Sequence, residues 1–125
     1  MKKEDTMSPS LYERLGSAEG IAAIVDDAVD RHAVNPLLAP RFGGRDLPRA
    51  KQMGTLFFCM GAGGPQKYDG RDLRTVHAGM NISEQELIAT IDDFVAAMQD
   101  QGVGAAELNE VVAILYSLKG EVLRR

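Results

Sequence analysis

The chain has one cysteine, no tryptophan and two histidines among 125 residues. A lone thiol forms no internal disulfide, so the sequence predicts a protein of a reducing compartment, the cytoplasm. Two imidazoles and one thiol are too few for a multi-histidine zinc site. Patterns for a phosphate loop, CxxC, HExxH or a calcium loop are absent, and no motif signals Ser-His-Asp catalysis. No run approaches the roughly 20 apolar residues that span a bilayer, so no membrane partner is expected. The first ten residues carry Lys2 and Lys3 but no apolar stretch, so no signal peptide is expected there. Positive charge is scarce as well: 14 Lys and Arg stand against 18 Asp and Glu, a net charge of -4. With no basic cluster longer than two residues, nucleic acid is not an expected partner.

What remains is an ordinary soluble composition, 45% apolar and 26% charged, long enough for one core without staples. The polar residues 1–10 read as a flexible extension and 11–125 as one domain. Ile21, Ile24, Val25, Ala28, Val29 and His32 recur on one helical face, with Ser17 as the expected N-cap. Asn35-Pro36 ends that helix. A short turn of helix is expected over 37–42. Asp46 caps the next, whose stripe holds Leu47, Ala50, Met53, Gly54, Phe57 and Phe58, and which fails in the glycine-rich 61–65. Leu73, Val76, His77 and Met80 share a face on a short segment. Ser83-x-x-Glu86 is a capping box opening a helix striped by Leu87, Ile91, Phe94, Val95 and Met98. A last helix is expected from Leu108 through Val122. No segment alternates as a strand does, so the fold class is all-α.

His77 lies on the apolar face of its short segment, between a glycine-rich loop and a capped helix. It reads as a hydrogen-bonded boundary residue. It also reads as one axial imidazole beside the apolar slot, rich in Phe and Met, that haem requires. Leu11-Tyr12-Glu13-Arg14-Leu15-Gly16, Asn35-Pro36-Leu37-Leu38-Ala39-Pro40-Arg41-Phe42 and Phe57-Phe58 follow in order. Then come Gly63-Gly64-Pro65, Tyr68-Asp69-Gly70-Arg71, Val76-His77-Ala78-Gly79-Met80 and Leu118-Lys119-Gly120-Glu121-Val122. In order and spacing these resemble the group I truncated haemoglobins, of cyanobacterial and proteobacterial type, over about nine tenths of the chain.

The resemblance implies a globin-like fold shortened to two helices over two around haem b, iron protoporphyrin IX. It makes His77 the proximal iron ligand. Phe42, Met53, Phe57, Phe58, Leu73 and Val76 become apolar neighbours of the ring, and Lys67 and Arg71 become partners of its propionates. It implies a diatomic ligand, oxygen or nitric oxide, in a monomer or weak homo-oligomer.

The family usually stabilises its ligand with a tyrosine on the second helix and glutamine on the distal helix. Ungapped alignment places Val29, Ala50 and Gly54 at those positions, and none donates a hydrogen bond. The expected distal pocket is therefore apolar. His32, Gln52, Met53 and Lys51 are the side chains that could compensate or fill the sixth iron position. The alternatives are a six-coordinate haem for electron transfer or sensing, and a cofactor-free helical interaction module. A further alternative is nitric oxide dioxygenation, or a peroxidase-like side activity, with an external reductase. Cys59 is expected to be a small buried hydrophobe, Tyr12 and Tyr116 core-edge aromatics, and Asp26-Asp27 and Asp92-Asp93 solvated.

Overall fold

The computed structural model describes residues 8–125. The extension expected over residues 1–10 falls mostly outside them, and Ser10 already belongs to the fold. It caps α1 (Leu11–Arg14) through a capping box with Glu13. Seven more helices follow: α2 (Ser17–Val34), α3 (Ala39–Phe42), α4 (Leu47–Gly61), α5 (Leu73–His77), α6 (Glu84–Asp100), α7 (Ala105–Ser117) and α8 (Lys119–Val122).

Helix α2 is the spine. Its stripe Ile21, Ile24, Val25, Ala28, Val29 and His32 is buried as the periodicity requires. It packs against α4 on one side and α6 on the other, and α6 in turn carries α7. This is the two-over-two arrangement, α2 with α4 above α6 with α7. Among the described residues there are no strands, and only one isolated bridge, Ile82 to Leu123.

Three local expectations need correction. Ser17 is not the N-cap of α2 but its first residue; Gly16 is the cap and offers no side-chain hydrogen bond. The reason is a very tight joint between α1 and α2. Gly16 has φ of 96°, and a Cβ on Gly20 would stand 2.1 Å from the Leu15 carbonyl oxygen. The final helix is also broken, at Leu118, where the chain bends back toward α5. Tyr116 is 51% exposed, with the Lys119 ammonium over its ring, rather than at the edge of the core.

The other signals behave as their chemistry predicts. The Asp46 side chain accepts from the Arg49 amide, and Ser83 with Glu86 forms a complete capping box. Cys59 is buried, and burial pushes its thiol pKa up.

Candidate functional site

Helices α4 and α5, which carry most of the expected site residues, are joined by an irregular segment over 62–72. Helix α5 is capped by Asp72, whose carboxylate accepts from the Thr75 amide at 2.8 Å; that bond holds Asp72 below the usual carboxylate range. The last residue of α5 is His77. Its Nδ1 lies 2.8 Å from the Leu73 carbonyl oxygen, one turn back. A carbonyl only accepts, so Nδ1 carries the proton and Nε2 keeps its lone pair. That half-buried Nε2 has no protein partner among the described residues. A neutral imidazole with Nδ1 anchored and Nε2 available is the form in which histidine ligates metal.

The surroundings of α5 are braced from two sides. The C-terminal segment pairs with the chain just after His77: Asn81 N–H donates to the Arg125 carbonyl, and Arg124 N–H to that of Ile82. Arg74 pairs with Glu121 at 3.0 Å. From the other side comes Arg41 of α3. Its Nε and Nη2 donate to both oxygens of Glu86, at 2.6 and 3.0 Å, and its Nη1 donates to the Met80 carbonyl at 2.9 Å. The Arg41 guanidinium, helped by the Ser83 amide, holds the Glu86 carboxyl at about 2.

The apolar residues expected around the site separate into neighbouring walls. Phe57 meets Tyr68 edge-on at 5.1 Å, and the Tyr68 hydroxyl donates to the Arg71 carbonyl. The Met53 methyl reaches toward Gly70 in the same loop. Phe58 turns instead toward α6, its ring 5.8 Å from that of Phe94. Phe42, Met53, Phe57, Phe58, Leu73 and Val76 are all half-buried, while Lys67 and Arg71 are exposed. Six half-buried apolar side chains and an imidazole with its Nε2 available are the residue types that would suit a flat apolar cofactor with one axial ligand. Among the described residues no group of three or more His, Cys, Asp or Glu could hold a bare metal ion.

Val29 is buried, and Ala50 and Gly54 are half-buried. A Cβ on Gly54 would stand 3.3 Å from Val25 Cγ1, so α4 crosses close to α2 there. Gln52, expected as a substitute donor, is exposed and lines an outer groove with Ala22, Ala23 and Pro48. Lys51, expected as another candidate for the sixth iron position, is held by two carboxylates: its Nζ lies 2.8 Å from both Asp26 and Asp30.

His32 is the buried polar residue of the core, 4% exposed. Its Nδ1 lies 2.8 Å from Asp93 Oδ2, and its ring lies 5.5 Å from both Phe42 and Phe94. This corrects the expectation for Asp93, whose side chain is only 15% exposed and also accepts from Asn35. The expectation failed because Asp93 stands outside the apolar stripe of α6. It belongs to the adjacent row Glu86, Thr90, Asp93, Ala97, at i, i+4, i+7 and i+11. That row faces α2 and α3, and it holds the partners of Arg41 and His32. Tyr68, Phe94 and Arg41 also have contacts here that no local sequence pattern marks, since each partner lies on another element or loop.

A family model described as bacterial-like globin matches residues 10–124. The group 1 truncated hemoglobin GlbN of Nostoc sp. is 29% identical over 116 residues, covering 93% of this chain and 98% of the relative. The group 1 truncated hemoglobin of Tetrahymena pyriformis is 25% identical over 114 residues, covering 91% and 94%. A crystal structure of the Tetrahymena pyriformis truncated hemoglobin, Fe(III) form, superposes with a TM-score of 0.90 at 25% identity, covering 94% of this chain and 100% of that one. The hemoglobin of the thermophilic phototrophic bacterium Chloroflexus aurantiacus gives 0.81 at 27% identity, with the same coverage.

Proposed function

We propose a reading for this chain, which belongs to the bacterial-like globin family and is a haem b globin that binds diatomic gas: His77 holds the iron, and the opposite side is an apolar pocket that releases its ligand quickly. Residues 11–125 form the globin domain. Bound haem supplies an iron with one open coordination position, at which a gas such as oxygen or nitric oxide is held reversibly.

The observation that carries the reading is the Leu73 carbonyl on His77 Nδ1. It orients the ring and fixes the tautomer that leaves Nε2 for metal. It also bears on the kind of chemistry. A carboxylate acceptor would draw the Nδ1 proton and make the ring strongly electron-donating. A neutral carbonyl leaves a moderate donor, which favours reversible binding over cleavage of an oxygen–oxygen bond.

The remaining residues hold the ring and exclude water. Phe42, Met53, Phe57, Phe58, Leu73 and Val76 supply apolar contact, and Lys67 and Arg71 supply cations for its carboxylates. Phe57 and Phe58 also line a partly open apolar pocket of about 140 Å³ with Val111, Leu115 and Leu118. Val29, Ala50 and Gly54 offer no hydrogen-bond donor to a ligand. A missing donor is worth about 1–1.5 kcal/mol, or roughly tenfold in dissociation rate. Lys51 is paired with Asp26 and Asp30, His32 with Asp93, and Met53 packs toward Gly70. These engagements support five-coordinate iron over the six-coordinate alternative. The buried free Cys59 supports work in the cytoplasm, and turnover against nitric oxide would draw electrons from an external reductase.

The test is His77→Gly in the haem-loaded protein. Loss of the axial ligand, with recovery of the wild-type spectrum on adding imidazole, is the expected result. A variant whose spectrum matches wild type without imidazole would remove His77 from the iron.

A further inference from the structure

We propose that His32 and Asp93 are positioning residues for Phe42, setting where that ring stands at the haem and making gas kinetics depend on the His32 proton. The proposal rests on the reading above in one respect, that Phe42 faces the haem.

Two connections run from Asp93 to the same place. One passes through Nδ1 of His32, whose ring lies 5.5 Å from Phe42 at a 33° tilt. The other passes through Asn35, whose amide donates to Asp93 and whose Oδ1 accepts from the Leu37 amide. Asn35 caps α2, and the chain from Leu37 leads directly into α3 and Phe42. Asp93 thus fixes both the face on which Phe42 rests and the backbone that delivers it. Phe94 holds the His32 ring at 5.5 Å, and Phe58 follows at 5.8 Å from Phe94. The sequence of rings Phe42, His32, Phe94, Phe58 joins two proposed haem neighbours through one titratable imidazole.

The charges near this imidazole are few. Asp93 faces it from α6. Arg31, on α2 itself, pairs with Asp27 and Asp100, and Arg41 of α3 is held by Glu86. Burial lowers the His32 pKa and the Asp93 carboxylate opposes that, so the ring is neutral at pH 7. A proton added to the imidazole in mild acid converts its hydrogen bond to the Asp93 carboxylate into an ion pair. It also places a cation beside the Phe42 ring, which draws the two together.

The experiment is proton NMR of the haem-loaded, ferrous, carbon monoxide-saturated protein from pH 8 downward, with carbon monoxide rebinding after photolysis on the same samples. The Phe42 ring protons are expected to show a haem ring-current shift and to move along the single-proton curve of His32. The rebinding rate should change by about twofold or more on that curve. In His32→Phe both curves vanish while the Phe42 ring-current shift persists. In Asp93→Asn the midpoint falls, because the carboxylate that favours the imidazolium is gone. The positioning role is overturned if Phe42 stays still while His32 titrates, if His32→Phe keeps the wild-type curve, or if His32 does not titrate above about pH 4.5. Should His32→Phe fail to fold, an unchanged midpoint in Asp93→Asn overturns it equally. A Phe42 with no ring-current shift contradicts instead the placement of that ring at the haem.

Discussion

Replacing Arg41 by methionine tests how the proximal side is held together. The substitution keeps an unbranched, mostly apolar side chain but removes three hydrogen bonds, two to Glu86 and one to the Met80 carbonyl. Isolated surface pairs contribute about 0.2–1 kcal/mol, and hydrogen bonds to charged groups about 1.5–3. Arg41 is 30% exposed and Glu86 15%, so the clamp lies between these cases. We expect a loss of about 2 kcal/mol at pH 7, or roughly 5–10 °C in Tm. The pH dependence gives a sharper signature. Glu86 titrates at about 2 in the folded protein and at 4.5 as an ordinary carboxyl. A depressed carboxyl stabilises the fold above its unfolded value, and that contribution disappears as pH falls toward the folded value. The gap between wild type and Arg41→Met should therefore be constant from neutrality to about pH 5 and more than half closed by about pH 3. Urea unfolding followed by circular dichroism measures it. A gap below about 0.5 kcal/mol at pH 7, or one that persists unchanged at pH 3, would show that Arg41 does not clamp Glu86. Because Met80 is three residues past His77, the variant should also lose haem faster to an acceptor protein.

Gly20→Ala places a methyl group on the Leu15 carbonyl and should cost about 3 kcal/mol or more in a denaturant melt; a neutral outcome would contradict the tight joint between α1 and α2. Ala50→Gln adds a donor to the apolar wall and should slow oxygen release about tenfold by stopped-flow displacement. An unchanged rate would mean that the wild-type pocket already holds a donor.

Much of the frame was legible because local rules decided it. The α2 stripe, the Asp46 cap and the Ser83-Glu86 box each depend on residues within a turn or two of one another. The sequence could not show how neighbouring rows of one helix divide their work. On α6 the apolar stripe announced itself, whereas Asp93, one row over, looked like solvated charge until α2 brought His32 to it, and the capping-box Glu86 gave no sign of its second partner, Arg41 of α3. The Gly16-Gly20 joint was hidden for a similar reason. Ser17 has the chemistry of a cap, but the closeness of two helix axes sets the boundary. At the site, the family resemblance carried by the motifs around His77 pointed to the candidate imidazole. Its hydrogen bond to Leu73, which leaves Nε2 for metal, emerges only from the backbone of α5.

The proposed function stands on a single protein ligand to iron and an open position opposite it. The measurement that tests it most directly is the visible absorption spectrum of the haem-loaded protein, reduced without oxygen and with no ligand added. One broad visible band, the mark of five-coordinate ferrous haem, is the expected result. Two sharp bands would reveal a second internal ligand and contradict it.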